Sequence, residues 1–224
     1  MAEAFGGRAS AGAVLPMLVL ADTFAVAWYK RHARWDKLRI LIPWVLVGVA
    51  IGGLLLDWMT KFKMKTDPLG PIIGWVTLAL LGLHLVKLRF PDKFSLKSHT
   101  AAALVGASAG VATTVANAAG PITGIYLTSI ELPKEVMMGT GAWFYFLINL
   151  VKVPVFAFLT KHDPLHPLFT PITLKFDIAI IPFILCGAFF GKWLLQKVPQ
   201  KAFDLAILVL SALAAINLLI PHAR

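Results

Sequence analysis

The chain has 224 residues, of which 58% are hydrophobic and 14% are charged, and its formal net charge is +10. Soluble domains are about 45–50% apolar and about 25% charged, and a fold of this size has too little interior to hide so much apolar surface. The composition therefore excludes a soluble domain. The basic residues lie mainly in loops between hydrophobic runs, which is typical of the cytoplasmic side of membrane proteins, so we expect no nucleic-acid partner.

Seven hydrophobic runs are long enough to cross a lipid bilayer, which needs about 20 mostly apolar residues per helix. They lie at 12–29, 38–56, 71–88, 101–130, 141–159, 178–195 and 202–220. Only helices and closed barrels satisfy their backbone groups in lipid, and runs of this length indicate helices. The sequence predicts an all-α, polytopic transmembrane helix bundle with seven hydrophobic segments.

The first segment, 12–29, contains an acidic residue, Asp22. It lies well inside the run, too far from the end near Arg8 for its carboxylate to reach the membrane surface. An ionisable residue at such a depth is costly and usually has a charged partner or a function. Asp22 is therefore either half of a structural ion pair with Lys152 or part of a functional site.

The second and sixth segments share the pattern Ile-Pro-x4-Gly-x3-Gly, at Pro43, Gly48 and Gly52 and again at Pro182, Gly187 and Gly191. The glycines let helices approach closely, whereas the repeated order of elements indicates two related halves, as in many secondary transporters. We assign 1–98 to the first half, with three helices, and 99–224 to the second, with a broken segment and three helices. Nothing before residue 8 matches 101–130, so we expect an N-terminally shortened form.

The fourth segment, 101–130, has no charged residue and is interrupted at 117–121 by Asn-Ala-Ala-Gly-Pro. Pro121 has no amide proton and disfavours helix at Gly120, so we expect a break beginning near Asn117 and a restart at Pro121, with Thr123 in the restarted half. The amides and positive dipole end of that half favour an anion. A kink used only for packing is the alternative.

Loop charges bear on whether segment 101–130 crosses the membrane once or returns as a hairpin. Both topologies place the basic loop 30–39 in the cytoplasm. The hairpin places a slightly larger share of the loop Lys and Arg residues on the cytoplasmic side. It would also make the two halves inverted repeats, which is a common transporter design.

The fifth segment, 141–159, places Tyr145, Asn149 and Lys152 on one helical face, at positions i, i+4 and i+7. A lysine near the middle of a membrane usually faces a cavity or a partner. We interpret this face as part of a binding site that lies opposite the break at 117–121. The alternative is that Lys152 is a structural ion paired with Asp22.

Two turns rich in glycine and hydroxyl groups are predicted directly before membrane segments. One lies at 6–10 and contains Arg8 and Ser10, and the other lies at 139–141 and contains Gly139 and Thr140. Each could bring bare backbone close to a ligand, and each could equally cap a helix.

Signals for an enzyme or a metal site are weak. The His-Glu-x-x-His pattern is absent, and Pro164 and Pro167 place His162 and His166 in a loop rather than on one helical face. We therefore expect no enzymatic activity, no cofactor and no metal.

At these residues the chain resembles the sulfite exporter TauE/SafE family of anion permeases. The matching pieces, which span nearly the whole chain, are Phe-Gly-Gly-Arg-Ala-Ser at 5–10, Leu-Pro-Met-Leu-Val-Leu-Ala-Asp at 15–22, Tyr-Lys-Arg-His-Ala-Arg-Trp at 29–35, Asn-Ala-Ala-Gly-Pro at 117–121, Gly-Thr-Gly at 139–141 and Phe-Leu-Ile-Asn-Leu-Val-Lys-Val-Pro at 146–154. The resemblance implies a multi-pass permease of the cytoplasmic membrane, built from two related halves, that moves small sulfur-containing or organic anions. The family pattern has a glycine-rich leading segment in the first half as well, and we expect it to be missing from this shortened form.

The expected function is secondary transport of a small anion, such as sulfite, an organosulfonate or a carboxylate, by alternating access. The anion would lie between the break at 117–121 and the face with Asn149 and Lys152, with Arg8 guiding it. Asp22 or Lys152 is the candidate carrier of a coupled proton. A channel or a non-transporting assembly subunit is the alternative, and a shortened permease is expected to form a homodimer.

Overall fold

The computed structural model describes residues 7–61, 69–90, 98–164 and 167–220, and this part of the chain forms eight α-helices and one short 3₁₀ turn, Lys30–His32. The helices are α1 (Gly7–Tyr29), α2 (Trp35–Lys61), α3 (Leu69–Arg89), α4 (His99–Ala116), α5 (Ala119–Ser129), α6 (Lys134–His162), α7 (Pro171–Lys197) and α8 (Gln200–Leu219). All except α5 are long and apolar enough to cross a membrane. The prediction of an all-α polytopic bundle with seven apolar segments is confirmed.

Helices α4 and α5 form a hairpin that returns to the end of the bundle from which it starts. Near the end of α3, Lys87 Nζ lies 2.5 Å from the carbonyl oxygen of Ser129, the last residue of α5. Helix α4 follows α3 after a short connection, so the start of α4 and the end of α5 lie at the same end of the bundle. Segment 101–130 is therefore broken and takes the hairpin form of the two alternatives.

The break is made by Asn117, which adopts a left-handed conformation with φ of 51° and caps the end of α4. Asparagine tolerates this conformation better than most residues. Helix α5 begins at Ala119 rather than at Pro121, the predicted restart. The first residues of a helix have no intrahelical partner for their N–H groups, so a proline in the first turn does not delay the start of the helix.

Helices α2 and α4 run parallel and meet backbone to backbone. A Cβ atom added to Gly48 would lie 2.2 Å from the carbonyl oxygen of Ala107, and one added to Gly110 would lie 2.3 Å from that of Val45. Such distances leave room only for hydrogen, so these glycines set how closely the two helices approach.

The second copy of the glycine pattern lies in a different environment. Nothing lies within 4 Å of a Cβ atom added to Gly187 or Gly191, and α7 packs mainly on α1. The same sequence pattern is therefore a helix contact in α2 and an outer surface in α7.

Within the described residues, which exclude Gly6, neither predicted glycine-and-hydroxyl turn forms a turn. Residues 7–10 belong to α1, and Gly139 and Thr140 lie inside α6, which begins at Lys134 after Pro133. Five helical residues, 134–138, precede the glycine, which is more than one full turn of α6. A Cβ atom added to Gly139 would lie 2.6 Å from the carbonyl oxygen of Tyr29, so this glycine allows close packing rather than chain reversal.

Candidate functional site

A fully buried lysine on α6 forms the centre of the candidate site. Lys152 has 0% of its surface exposed. Its ammonium group donates to Asn117 Oδ1 at 2.6 Å and to Thr113 Oγ1 and Asn149 Oδ1, both at 3.2 Å. An ammonium group has three protons, so these three oxygens satisfy it completely. The break between α4 and α5 thus supplies one of the acceptors for a charge that would otherwise be too costly to bury.

The amide of Asn149 joins this lysine to the acidic residue of α1. Asn149 Nδ2 donates to Asp22 Oδ2 at 2.7 Å, while Asn149 Oδ1 accepts from Lys152. The positive and negative charges are therefore linked through a neutral amide rather than by direct contact. We call Asp22, Thr113, Asn117, Asn149 and Lys152 the Lys152 network.

The Lys152 network also fixes the break relative to the first helix. The Asn117 side chain donates from Nδ2 to the carbonyl oxygen of Ala11 at 3.1 Å and accepts from Lys152 at Oδ1. One amide thus holds α1, α4 and α6 together at the point where α4 ends. Sequence reasoning selected Asp22, Asn117, Asn149 and Lys152, and the structure brings all four into one network.

A cavity of about 590 Å³ lies beside the Lys152 network, between α1, α5, α6 and α8, and we call it the central cavity. The side chains with polar groups that line it are those of Asp22, Tyr145 and Ser211, and the first turn of α5 contributes Gly120 and Pro121. The remaining lining is apolar. Asp22 belongs to both the cavity wall and the network, so it is the point at which a bound molecule would meet the network.

Two hydroxyl groups tie the amino-terminal part of α5 to α6. Thr123 Oγ1 donates to the carbonyl oxygen of Ala119 at 2.8 Å and also contacts the hydroxyl of Tyr145. Because the threonine proton is directed at the backbone, Tyr145 donates to Thr123. The tyrosine proton is therefore engaged within the protein, although Tyr145 lines the central cavity.

The other predicted site residues lie elsewhere or outside the described part of the chain. Thr140 accepts from the backbone N–H of Arg34 at 3.0 Å and donates to the carbonyl of Val136 at 2.7 Å. With its neighbour Gly139, it holds the connection between α1 and α2. The backbones of Arg8 and Ser10 lie in α1, but the structure does not describe their side chains. His166 lies outside the described residues.

Sequence reasoning missed a second, partly buried polar cluster at the end of the bundle where α5 finishes. It contains His84, Lys87, Ser129 and Glu131, with hydrogen bonds between α3 and the residues around the end of α5. The available signal was the i, i+3 spacing of His84 and Lys87 at the end of an apolar run, since two polar residues on one face of such a segment usually have partners.

The bundle, the returning hairpin and the buried charge network define a polytopic membrane protein with an intramembrane polar site. The family model described as sulfite exporter TauE/SafE matches residues 2–218. The chain belongs to the sulfite exporter TauE/SafE family, which confirms the resemblance drawn from the short motifs. No curated protein and no solved structure matches the chain.

Proposed function

We propose that the chain is a secondary transporter of small anions, such as sulfite, an organosulfonate or a carboxylate, that works by alternating access in the cytoplasmic membrane. Membership in a family of sulfite exporters supports the general class. The observation that carries the proposal is the position of Lys152, a completely buried cation whose network reaches the wall of the central cavity at Asp22. A buried cation beside a cavity in a membrane bundle is a common feature of substrate pathways.

The charges of the Lys152 network explain how an anion and a proton would bind together. With both groups ionised, Lys152 and Asp22 sum to zero, and an anion in the central cavity meets the carboxylate first. At about 4 Å and an effective dielectric constant of about 20, that repulsion is roughly 4 kcal/mol. Protonation of Asp22 removes the repulsion and leaves the lysine charge to attract the anion. Asp22 is therefore the proton carrier in this proposal.

The first turn of α5 adds a second favourable field. Gly120 and Pro121 line the central cavity at the amino end of α5, where the partial positive charge of the helix dipole lies. Pro121 has no N–H group to donate. At that residue the helix therefore acts on the anion through its dipole field rather than through a backbone hydrogen bond. The anion in this proposal lies between Gly120 and Asp22.

The test is flux of labelled sulfite, and of a panel of sulfonates and carboxylates, into proteoliposomes that contain the purified chain. We expect saturable uptake that is lost with Lys152→Met and retained with Lys161→Met, a matched change at an exposed position of the same helix. Asp22→Asn is expected to keep anion exchange and to lose the dependence of uptake on a pH gradient.

Three results would contradict the proposal in different ways. Flux that rises linearly with anion concentration would indicate a channel. Absence of flux from a folded, helical sample would indicate a non-transporting assembly subunit. Full transport by Lys152→Met would show that the buried cation does not attract the substrate.

A further inference from the structure

A second cavity, of about 640 Å³, lies between α3, the end of α5 and the start of α8, and we call it the side cavity. It shares no lining residue with the central cavity. Its polar and charged lining consists mainly of His84, Lys87, Glu131, Gln200, Lys201 and Asp204. Leucine side chains, from Leu88, Leu132, Leu205 and Leu208, supply most of the rest. The side cavity thus combines an ionic part with an aliphatic part.

Lys87 is the buried cation of the side cavity, with 8% of its surface exposed. Its ammonium group donates to the carbonyl oxygen of Ser129 and to Glu131 Oε1, both at 2.5 Å. Since an ammonium group has three protons, one remains without an acceptor among the residues that the structure describes. Lys87 lines the side cavity, so a ligand there can reach this group.

The carboxylate paired with Lys87 is much more exposed than the lysine itself. The Glu131 side chain is 67% exposed, whereas that of Lys87 is 10% exposed. Glu131 also has a φ of 62°, in the left-handed region that residues with a Cβ atom rarely adopt. Breaking a buried ion pair is costly because it leaves the remaining charge uncompensated, whereas exchange of the exposed Glu131 carboxylate for another anion keeps Lys87 paired.

His84 fixes the position of the backbone that holds Lys87. The Ser129 hydroxyl donates to the carbonyl oxygen of Ile125 at 2.7 Å, so at the 2.7 Å contact with Ser129 Oγ the donor is His84 Nδ1. His84 is itself buried, with 4% of its surface exposed. The carbonyl that accepts from Lys87 therefore belongs to a residue anchored from two sides, and the ammonium group keeps its place when Glu131 moves away.

We propose that the side cavity binds an anionic amphiphile whose head group takes the place of Glu131 on Lys87 and whose aliphatic chain lies against the leucines. The volume far exceeds that of a small inorganic anion, and the lining changes from ionic to aliphatic. Asp204 accepts from Gln200 Nε2 at 2.8 Å, so it is already engaged. Once Glu131 leaves, Lys87, Lys201 and Asp204 sum to one positive charge, which matches a monoanionic head group.

The test is calorimetric titration of the full chain in nanodiscs of phosphatidylcholine, with hexanesulfonate as the probe. We expect saturable binding of hexanesulfonate and no comparable binding of hexyltrimethylammonium or inorganic sulfate. Lys87→Met is expected to raise the Kd by at least about tenfold. Glu131→Gln should lower it several-fold, because the internal competitor for Lys87 is weakened.

Two control variants separate this site from the rest of the molecule. Lys161→Met should leave the Kd for hexanesulfonate unchanged. Lys152→Met removes any binding of the sulfonate in the central cavity, so the saturable binding that remains in this variant belongs to the side cavity. Glu131→Gln changes an exposed side chain, so it keeps the test valid even if Lys87→Met fails to fold. Circular dichroism would establish that each variant retains its helices.

The natural amphiphile is either a lipid or a free organic anion, and the same experiment distinguishes them. If phosphatidylglycerol in the nanodisc weakens hexanesulfonate binding, the head group of an anionic lipid occupies the side cavity. If it has no effect, a free amphiphilic anion is the ligand. The proposal is overturned if hexanesulfonate does not bind, if sulfate binds equally well, or if neither Lys87→Met nor Glu131→Gln changes the Kd.

Discussion

Replacing Lys152 by methionine tests whether the Lys152 network is held together by its charge. Methionine keeps most of the volume but leaves the oxygens of Thr113, Asn117 and Asn149 without their shared donor. Removing one partner of a buried polar or ionic arrangement typically costs about 3–5 kcal/mol of unfolding free energy. We expect Lys152→Met to fall in this range, because Lys152 is fully buried.

Asp22→Asn gives the matching measurement from the other end of the network. Asn149 loses a carboxylate acceptor but can donate to the new amide oxygen, and Lys152 keeps its three acceptors. We therefore expect a smaller cost, about 1 kcal/mol. In the double variant, which combines Lys152→Met with Asp22→Asn, no Asp22 carboxylate is left uncompensated. The cost of the double variant should therefore be about 1–2 kcal/mol less than the sum of the two single costs.

The assay is unfolding in mixed micelles of dodecyl sulfate and maltoside, followed by circular dichroism, with Lys161→Met as the control. Each variant should unfold in a single transition for the free energies to be compared. Costs that add within about 0.5 kcal/mol would show that the two charges do not couple through Asn149, and the description of the network would then be wrong.

Three further predictions concern packing and hydrogen bonds. Gly110→Ala should cost about 1–3 kcal/mol of unfolding free energy, because the new methyl group meets backbone, whereas Gly187→Ala should be nearly neutral; equal costs would refute the helix contact. Thr140→Val should cost about 1 kcal/mol and speed hydrogen exchange at the amide of Arg34; an unchanged rate would count against that bond. Tyr145→Phe should cost about 1 kcal/mol of unfolding free energy with little change in the KM for anions, because the Tyr145 hydroxyl proton is already donated to Thr123. A large rise in KM would show that Tyr145 contacts the substrate directly.

The main outline of the fold could be predicted because its signals lie within single segments. Each long apolar run is by itself a membrane helix, and the residues around Asn117 and Pro121 carry their own tendency to break a helix. Four members of the Lys152 network could also be selected, since a charged or amide side chain inside an apolar run needs a partner. Which oxygens Lys152 contacts depends on how α4 packs against α6, and no local pattern specifies that.

The features that sequence reasoning missed depend on distant neighbours. Gly139 looks like a turn residue, yet its small size serves a contact with the backbone of Tyr29, far away along the chain. Gly48 and Gly187 lie in the same pattern, but only the first has a helix against it. Lys87 and Glu131 meet because α3 ends beside the end of α5, and their separation along the chain gives no indication of it.

The short helix α5 has a consequence for how the protein is made. Its 11 residues extend only about 16 Å, roughly half of the hydrocarbon thickness, so it cannot be laterally released into lipid as an independent span. Non-helical backbone such as that at Asn117 is tolerated at membrane depth only where protein surrounds it. Helix α2 emerges from the ribosome before α4. Its glycine face is therefore already available for the hairpin to pack against. The order of synthesis thus places the glycine face of α2 in the membrane before the hairpin of α4 and α5, which needs that face for packing.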